Sequence, residues 1–153
     1  MNLSVRTAER RDCRLILDFI KSLAEYEERS HEVEATVELL EEWLFEKQAA
    51  EVVFAVVDGV EAGFALYVRN FSTFLGRAGI HLEDIFVLPD YRGLGIGKTI
   101  LNHFLDKLDP SSIAQVFLDL PIEGEGFSRA LIREGFTPRI TRYCLALSSR
   151  KHL

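Results

Sequence analysis

Residues 52–68 read VVFAVVDGVEAGFALYV, two β-rich apolar runs on either side of Asp58-Gly59. Asp-Gly between such runs predicts a hairpin, because both turn positions prefer positive φ. Around this hairpin the apolar residues recur with two different periods. Leu3–Thr7 alternates as a short strand, whereas Leu15, Ile16, Phe19, Ile20, Leu23 and Ala24 recur every three or four residues and predict a helix to about Tyr26. A second helix is expected over residues 37–45, with Leu39, Leu40, Trp43 and Leu44 on its buried stripe and Thr36 as its cap.

Downstream, residues 72–79 (STFLGRAG) read as a loop and residues 80–88 as a central strand stopped by Pro89. A helix is expected over 96–108, with Ile100, Leu101, Phe104, Leu105 and Leu108 inward. A strand over 115–120, a short helix over 128–134 ended by Gly135 and a strand over 140–148 complete the chain. The order β-α-α-β-β-β-α-β-α-β describes an α/β (α+β) fold, a mixed sheet flanked by helices without repeats or linker. At 153 residues, one domain is expected over the whole chain.

Composition narrows the function classes. A net charge of −6 argues against a nucleic-acid partner. No apolar run approaches the length needed to span a bilayer, and the start MNLSVRTAERRDC lacks the apolar core of a signal peptide, so a cytoplasmic protein is expected. Cys13 and Cys144 form no CxxC pattern and read as buried small hydrophobes. The histidines, at 31, 81, 103 and 152, show no metal-ligand spacing, and no metal is implied. The charge is uneven. Ten glutamates lie between Glu25 and Glu51 against Arg29 and Lys47, either a solvated helical face or a field attracting a cationic substrate. The last 25 residues are basic, with five arginines and Lys151 against Glu134.

The stretch DYRGLGIGKTIL (90–101) carries the chemistry. Gly97-Lys98-Thr99 matches the end of the ATP and GTP loop, but that loop's first glycine falls on Arg92. The dinucleotide pattern GxGxxG fails too, its last glycine falling on Lys98 or Ile100. What fits is Arg-x-x-Gly-x-Gly between a strand and a helix, where backbone N–H groups converge on an anion beside the positive end of the helix dipole. Arg92, Lys98 and the Thr99 hydroxyl can add donors.

This loop resembles motif A of the GNAT superfamily of acetyl-CoA-dependent N-acetyltransferases. With DCRLILDFIKSLAEYE (12–27), GFALYVRNFSTFLG (63–76), LEDIFVLPDYRGLGIG (82–97) and REGF (133–136), the chain is most similar to the diamine branch, the spermidine/spermine and thialysine acetyltransferases. The resemblance implies a GNAT fold, with a mostly antiparallel central sheet splayed at the cofactor strand and helices on both faces. It also implies a homodimer and acetyl-CoA as cofactor. The pyrophosphate would lie on Arg92, Gly93, Leu94, Gly95, Ile96, Gly97, Lys98 and Thr99, and the pantetheine along Ile85, Phe86 and Val87.

Acyl transfer to an amine needs a deprotonated nucleophile, and an alkyl ammonium with a pKa of about 10.4 must lose a proton first. A nearby carboxylate can take it, directly or through water. Glu83 and Asp84 precede the cofactor segment, and strand alternation would place them on opposite faces, with one of the two in the acceptor site. The resemblance assigns that place, and the role of base, to Glu83. It adds Tyr26, Glu27 and Asp119 as substrate contacts, outlining an acidic cleft for a small cationic amine.

One departure stands out. The family's tyrosine acid, four residues before the glycine of the closing helix, is Leu131 here, and GEGF (124–127) replaces the motif's usual asparagine. A thiol of pKa about 8.5 can leave as thiolate unaided. Tyr143, Tyr67 and Ser128 are candidate substitutes. The expected function is therefore N-acetylation of a polyamine, diamine or lysine-like amine. Acetylation of an amino-acid or peptide α-amine, or a degenerate CoA-binding sensor, are the alternatives.

Overall fold

A computed structural model describes residues 1–107, 113–119, 129 and 131–138. It falls into two compact units, residues 1–119 and residues 120–153.

The first unit is built on one five-stranded sheet in the order β1 (Leu3–Thr7), β2 (Glu51–Val57), β3 (Val60–Ser72), β4 (Arg77–Val87) and β5 (Ile113–Leu118). Neighbours are antiparallel except β4 and β5. The Asp58-Gly59 hairpin forms as expected, with φ of 48° and 83° at its two turn residues. Phe54, Phe64 and Phe86 stand opposite one another across β2, β3 and β4. The helix α1 (Cys13–Tyr26) lies over this row, and Phe19 meets the rings of Phe54 and Phe64 at 5.6 and 5.2 Å. On the other face α3 (Ile96–Lys107) buries Ile96, Ile100, Leu101 and Phe104. Its Ile100 approaches Gly63, and Phe104 packs edge-on against Tyr67 at 4.7 Å. Helices thus cover both faces, and each fully buried aromatic contributes about 1.5–3 kcal/mol.

The start of α1 is anchored by charge. Asp12 ends a 3₁₀ turn, accepts the backbone N–H of Glu9 at 2.7 Å and takes a bidentate pair from Arg6 at 2.8 and 3.0 Å. Arg6 also reaches Glu61 on β3 and lies over the Phe54 ring. The guanidinium, with burial opposing it, holds the Asp12 carboxyl below its ordinary range.

Three expectations are corrected. The second helix is capped by Thr36, whose Oγ1 accepts the N–H of Leu39, but only α2 (Val37–Leu40) is α-helical before a π-helical stretch takes over at Glu41–Glu46. Its buried stripe is Leu40 and Leu44 alone. Leu39 and Trp43 occupy the adjacent stripe and are 42% and 49% exposed, with the Lys47 ammonium lying over the indole. The loop expected over residues 72–79 shrinks to a turn at residues 73–76, since β3 runs through Ser72 and β4 starts at Arg77, with Gly76 at φ 65°. The ladder continues there through Phe71↔Ala78 and Asn70↔Gly79, beyond the core that gives strands their apolar signature.

In the second unit residues 131–133 are helical and Gly135, at φ 95°, ends them. The N–H of Phe136 reaches the Leu131 carbonyl and that of Gly135 the Ile132 carbonyl, both bonds of a Schellman ending. The strand expected over 140–148 and Cys144 lie outside the described residues. Cys13 is buried, and burial raises its thiol pKa. Among the described residues no helix is long and apolar enough to cross a membrane.

Candidate active site

The glycine loop joins β4 to α3 through a short 3₁₀ turn at Pro89–Tyr91. Gly93 and Gly95 both take φ 78°, and a Cβ on either would meet nothing within 4 Å. Backbone conformation, not space, therefore requires glycine at both. Gly97 lies already within α3, whose N-terminal N–H groups open on the loop. The Thr99 hydroxyl donates to the Gly95 carbonyl at 3.0 Å, so its proton holds the loop rather than facing an anion. Arg92 does more than border the loop. Its Nε donates to the Val87 carbonyl at 3.0 Å, and its guanidinium lies 4.4 Å from the Tyr26 ring and 5.2 Å from that of Phe86. A loop residue and the last residue of α1 are thereby stacked together.

Ile85, Phe86 and Val87 pair with β3. Among the described residues, the parallel ladder with β5 stops at Leu82↔Leu118. The other edge of this segment lies beyond that ladder, where backbone groups can pair with an extended ligand.

Beside the end of α1 lies a cavity of about 290 Å³. Ile20, Leu23 and Ala24 form an apolar wall; Glu27, Glu32, Glu34 and Asp84 supply carboxylates, and Arg29 the one cation among its lining residues. Arg29 is itself bound to Glu32 and lies 3.6 Å from Glu27. Burial, then the charges of Glu83 and Glu27, push Asp84 from 3.8 up to about 6. Such a pocket suits an alkyl chain ending in a cation.

Glu83 is placed by a β-bulge. Leu66 pairs with Asp84 and Tyr67 with Leu82, so Glu83 opposes no residue on β3. The bulge cancels the expected alternation: Glu83 does not point away from Asp84 across the sheet. Its carboxylate lies 3.6 Å from Nδ1 of His81, whose Nε2 is 3.1 Å from the Asp119 carboxylate. Asp84 senses the charge of both Glu83 and Asp119.

The structure therefore brings Glu27 and Asp84 into one cavity, sets Glu83 and Asp119 around His81, and stacks Tyr26 on Arg92. His81 escaped the sequence reading as one of four scattered histidines. Its signal was the i, i+2 spacing to Glu83 on a strand. Tyr67 donates its hydroxyl to Glu51, and burial with that bond raises its pKa, which makes it a poor proton donor. Tyr143 and Ser128 lie outside the described residues, and Leu131 is buried.

The sequence matches the profile of the Acetyltransferase (GNAT) family over residues 16–135. The chain belongs to the GNAT family of acetyltransferases. Among its GNAT relatives, thialysine N-epsilon-acetyltransferase of Sus scrofa is 37% identical over 124 residues, 75% of this chain and 67% of that one. The Mus musculus enzyme of the same name is 38% identical over 106 residues, and the match spans 63% of this chain and 62% of the mouse enzyme's length. The GNAT fold is matched by a crystal structure of ribosomal-protein-alanine N-acetyltransferase from Brucella melitensis, at TM-score 0.75 and 21% identity, over 95% of this chain and 99% of that one.

Proposed function

We propose that residues 1–153 form one GNAT domain that moves the acetyl group of acetyl-CoA to a primary amine of a small cationic acceptor, a polyamine, diamine or lysine-like amino acid. The carrying observation is the acidic cavity with an apolar wall, beside a segment, Tyr26–Glu27, that Arg92 ties to the glycine loop. Relatives named for an ε-amine of thialysine support the same acceptor class. A cytoplasmic homodimer completes the proposal.

The residues divide the work. Loop N–H groups with Arg92 and Lys98 hold the pyrophosphate, and the Ile85–Phe86–Val87 edge holds the pantetheine. Glu27 and Asp84 bind the acceptor's distal cation, while Tyr26 covers its chain. Glu83 takes a proton from the reacting ammonium. The freed nitrogen would attack the thioester carbon while a backbone N–H of the edge segment steadies the oxyanion. The C–S bond would break with CoA leaving as thiolate, and the second proton of the amine nitrogen would pass to that thiolate, giving the amide and the free CoA thiol. Proton removal limits the reaction at neutral pH and not when the amine is already free. Glu83→Gln should therefore lower kcat/KM about 10²-fold at pH 7.5 and far less near pH 10, with acetyl-CoA affinity unchanged. Wild-type activity at every pH would exclude Glu83 as the base.

A further inference from the structure

We propose that His81 is a proton-relay residue that receives the proton Glu83 takes from the amine and passes it through Asp119 to water. The inference rests on Glu83 being the base. Three observations carry it. His81 is 8% exposed, a buried imidazole in the sheet interior. It stands between two carboxylates, Glu83 on Nδ1 at 3.6 Å and Asp119 on Nε2 at 3.1 Å. Those carboxylates are more open, their side chains 37% and 41% exposed, so each end of the chain can exchange protons with groups outside the sheet.

The geometry sets the order of events. With Nε2–H donated to Asp119 at hydrogen-bond distance, a neutral ring presents its Nδ1 lone pair to Glu83. Glu83 accepts a proton from the substrate ammonium and becomes a carboxylic acid. Once the partly exposed Glu83 side chain closes the 3.6 Å gap to hydrogen-bond length, it gives that proton to Nδ1, and its carboxylate is restored. The imidazolium, flanked by two carboxylates, releases Nε2–H to Asp119, which gives it to water. Exchange with solvent then returns the remaining ring proton to Nε2. One proton enters and one leaves in each turnover.

The ring is held for this task. Phe117 on β5 meets it edge-on at 6.4 Å, and β3 offers Val68 opposite it. Among the described residues, the charged groups bearing on the site include Glu83, Asp119 and, next along β4, Asp84, which in turn senses Glu27 and Arg29.

The test is chemical rescue. His81→Ala and the volume-conserving His81→Gln should each lower kcat about tenfold or more at pH 7.5 while leaving the KM for acetyl-CoA and the melting temperature near wild type. Added imidazole should restore His81→Ala in proportion to its concentration, and should not restore Glu83→Gln. In the unmodified protein, ¹⁵N NMR should show His81 protonated at Nε2 when neutral. Full activity in both His81 variants with an inactive Glu83→Gln would overturn the relay and keep the base. A fully active Glu83→Gln would overturn the base itself. Imidazole without effect on a soluble, CoA-binding His81→Ala, or a neutral ring protonated at Nδ1, would contradict the relay. So would activity lost to a chelator and restored by zinc, which would mark the three side chains as a metal site.

Discussion

Asp84 shows how position sets chemistry. Its carboxyl is buried first and crowded by Glu83 and Glu27 second, and both effects favour the protonated form. Because its folded pKa, about 6, lies above its ordinary 3.8, the folded state binds more protons than the unfolded between those values. Stability therefore falls as pH rises through that window. Asp84→Asn is expected to melt higher than wild type at pH 8 and no higher at pH 4, as calorimetry can read. In the proposed acceptor site the same ionisation would govern substrate binding. Below pH 6 a protonated Asp84 no longer attracts a cation, so the KM for a diamine should rise there in wild type and stay flat in Asp84→Asn. A diamine KM independent of pH between 5 and 8 in the wild type would remove Asp84 from the acceptor site.

At the scale of elements, the Arg6–Asp12 pair fixes where α1 begins, and the glycine loop fixes where α3 begins. Asp12→Asn leaves Arg6 half-paired beside Phe54 and should cost about 2 kcal/mol by urea unfolding at pH 7. Since the Asp12 pKa is depressed, its contribution is present above pH 3.8 and lost as pH falls through the lower folded value. The variant and wild type should converge there. In the loop, Gly95→Ala meets no steric obstacle but must hold φ 78°, which costs about 1–2 kcal/mol. Gly95→Asp adds a negative charge where phosphates would sit. Calorimetry should show acetyl-CoA binding weakened in the first and abolished in the second, with both folded; unchanged affinity in Gly95→Asp would remove the loop as the phosphate site. These elements were legible because their causes are local. Asp58-Gly59 is a turn by its own backbone preference, and the loop spacing excluded two nucleotide motifs by counting. The bulge at Glu83 was not legible, because strict alternation assumes an unbroken ladder and the interruption depends on the partner strand. Leu39 and Trp43 misled for a related reason, as two adjacent stripes of one helix look equally apolar until a core chooses between them. The i, i+2 spacing of His81 to Glu83 was in the sequence, but the third member of the cluster, Asp119, comes beside His81 only through the pairing of β5 with β4.

Over the whole molecule, the acidic segment between Glu25 and Glu51 lies partly in the cavity, through Glu27, Glu32 and Glu34, and partly on the surface of α2 and its π-helical continuation. The solvated-face reading describes the second group, and the first group lines the cavity in which the proposal places a cation. Exposed charges act over about 8 Å at physiological ionic strength, so kcat/KM for a cationic amine should fall with added salt more steeply than for a neutral one. The account stands most directly on which nitrogen is acetylated. Purified protein with acetyl-CoA should be offered a linear diamine, a lysine-like amino acid and a peptide with a free α-amine, and the products read by mass spectrometry alongside kcat/KM. The side-chain or terminal amine of the first two should be acetylated at least about tenfold more efficiently than the peptide, a difference of about 1.4 kcal/mol in transition-state binding. Preference for the peptide α-amine, or tight acetyl-CoA binding with no amine acetylated at all, would contradict it.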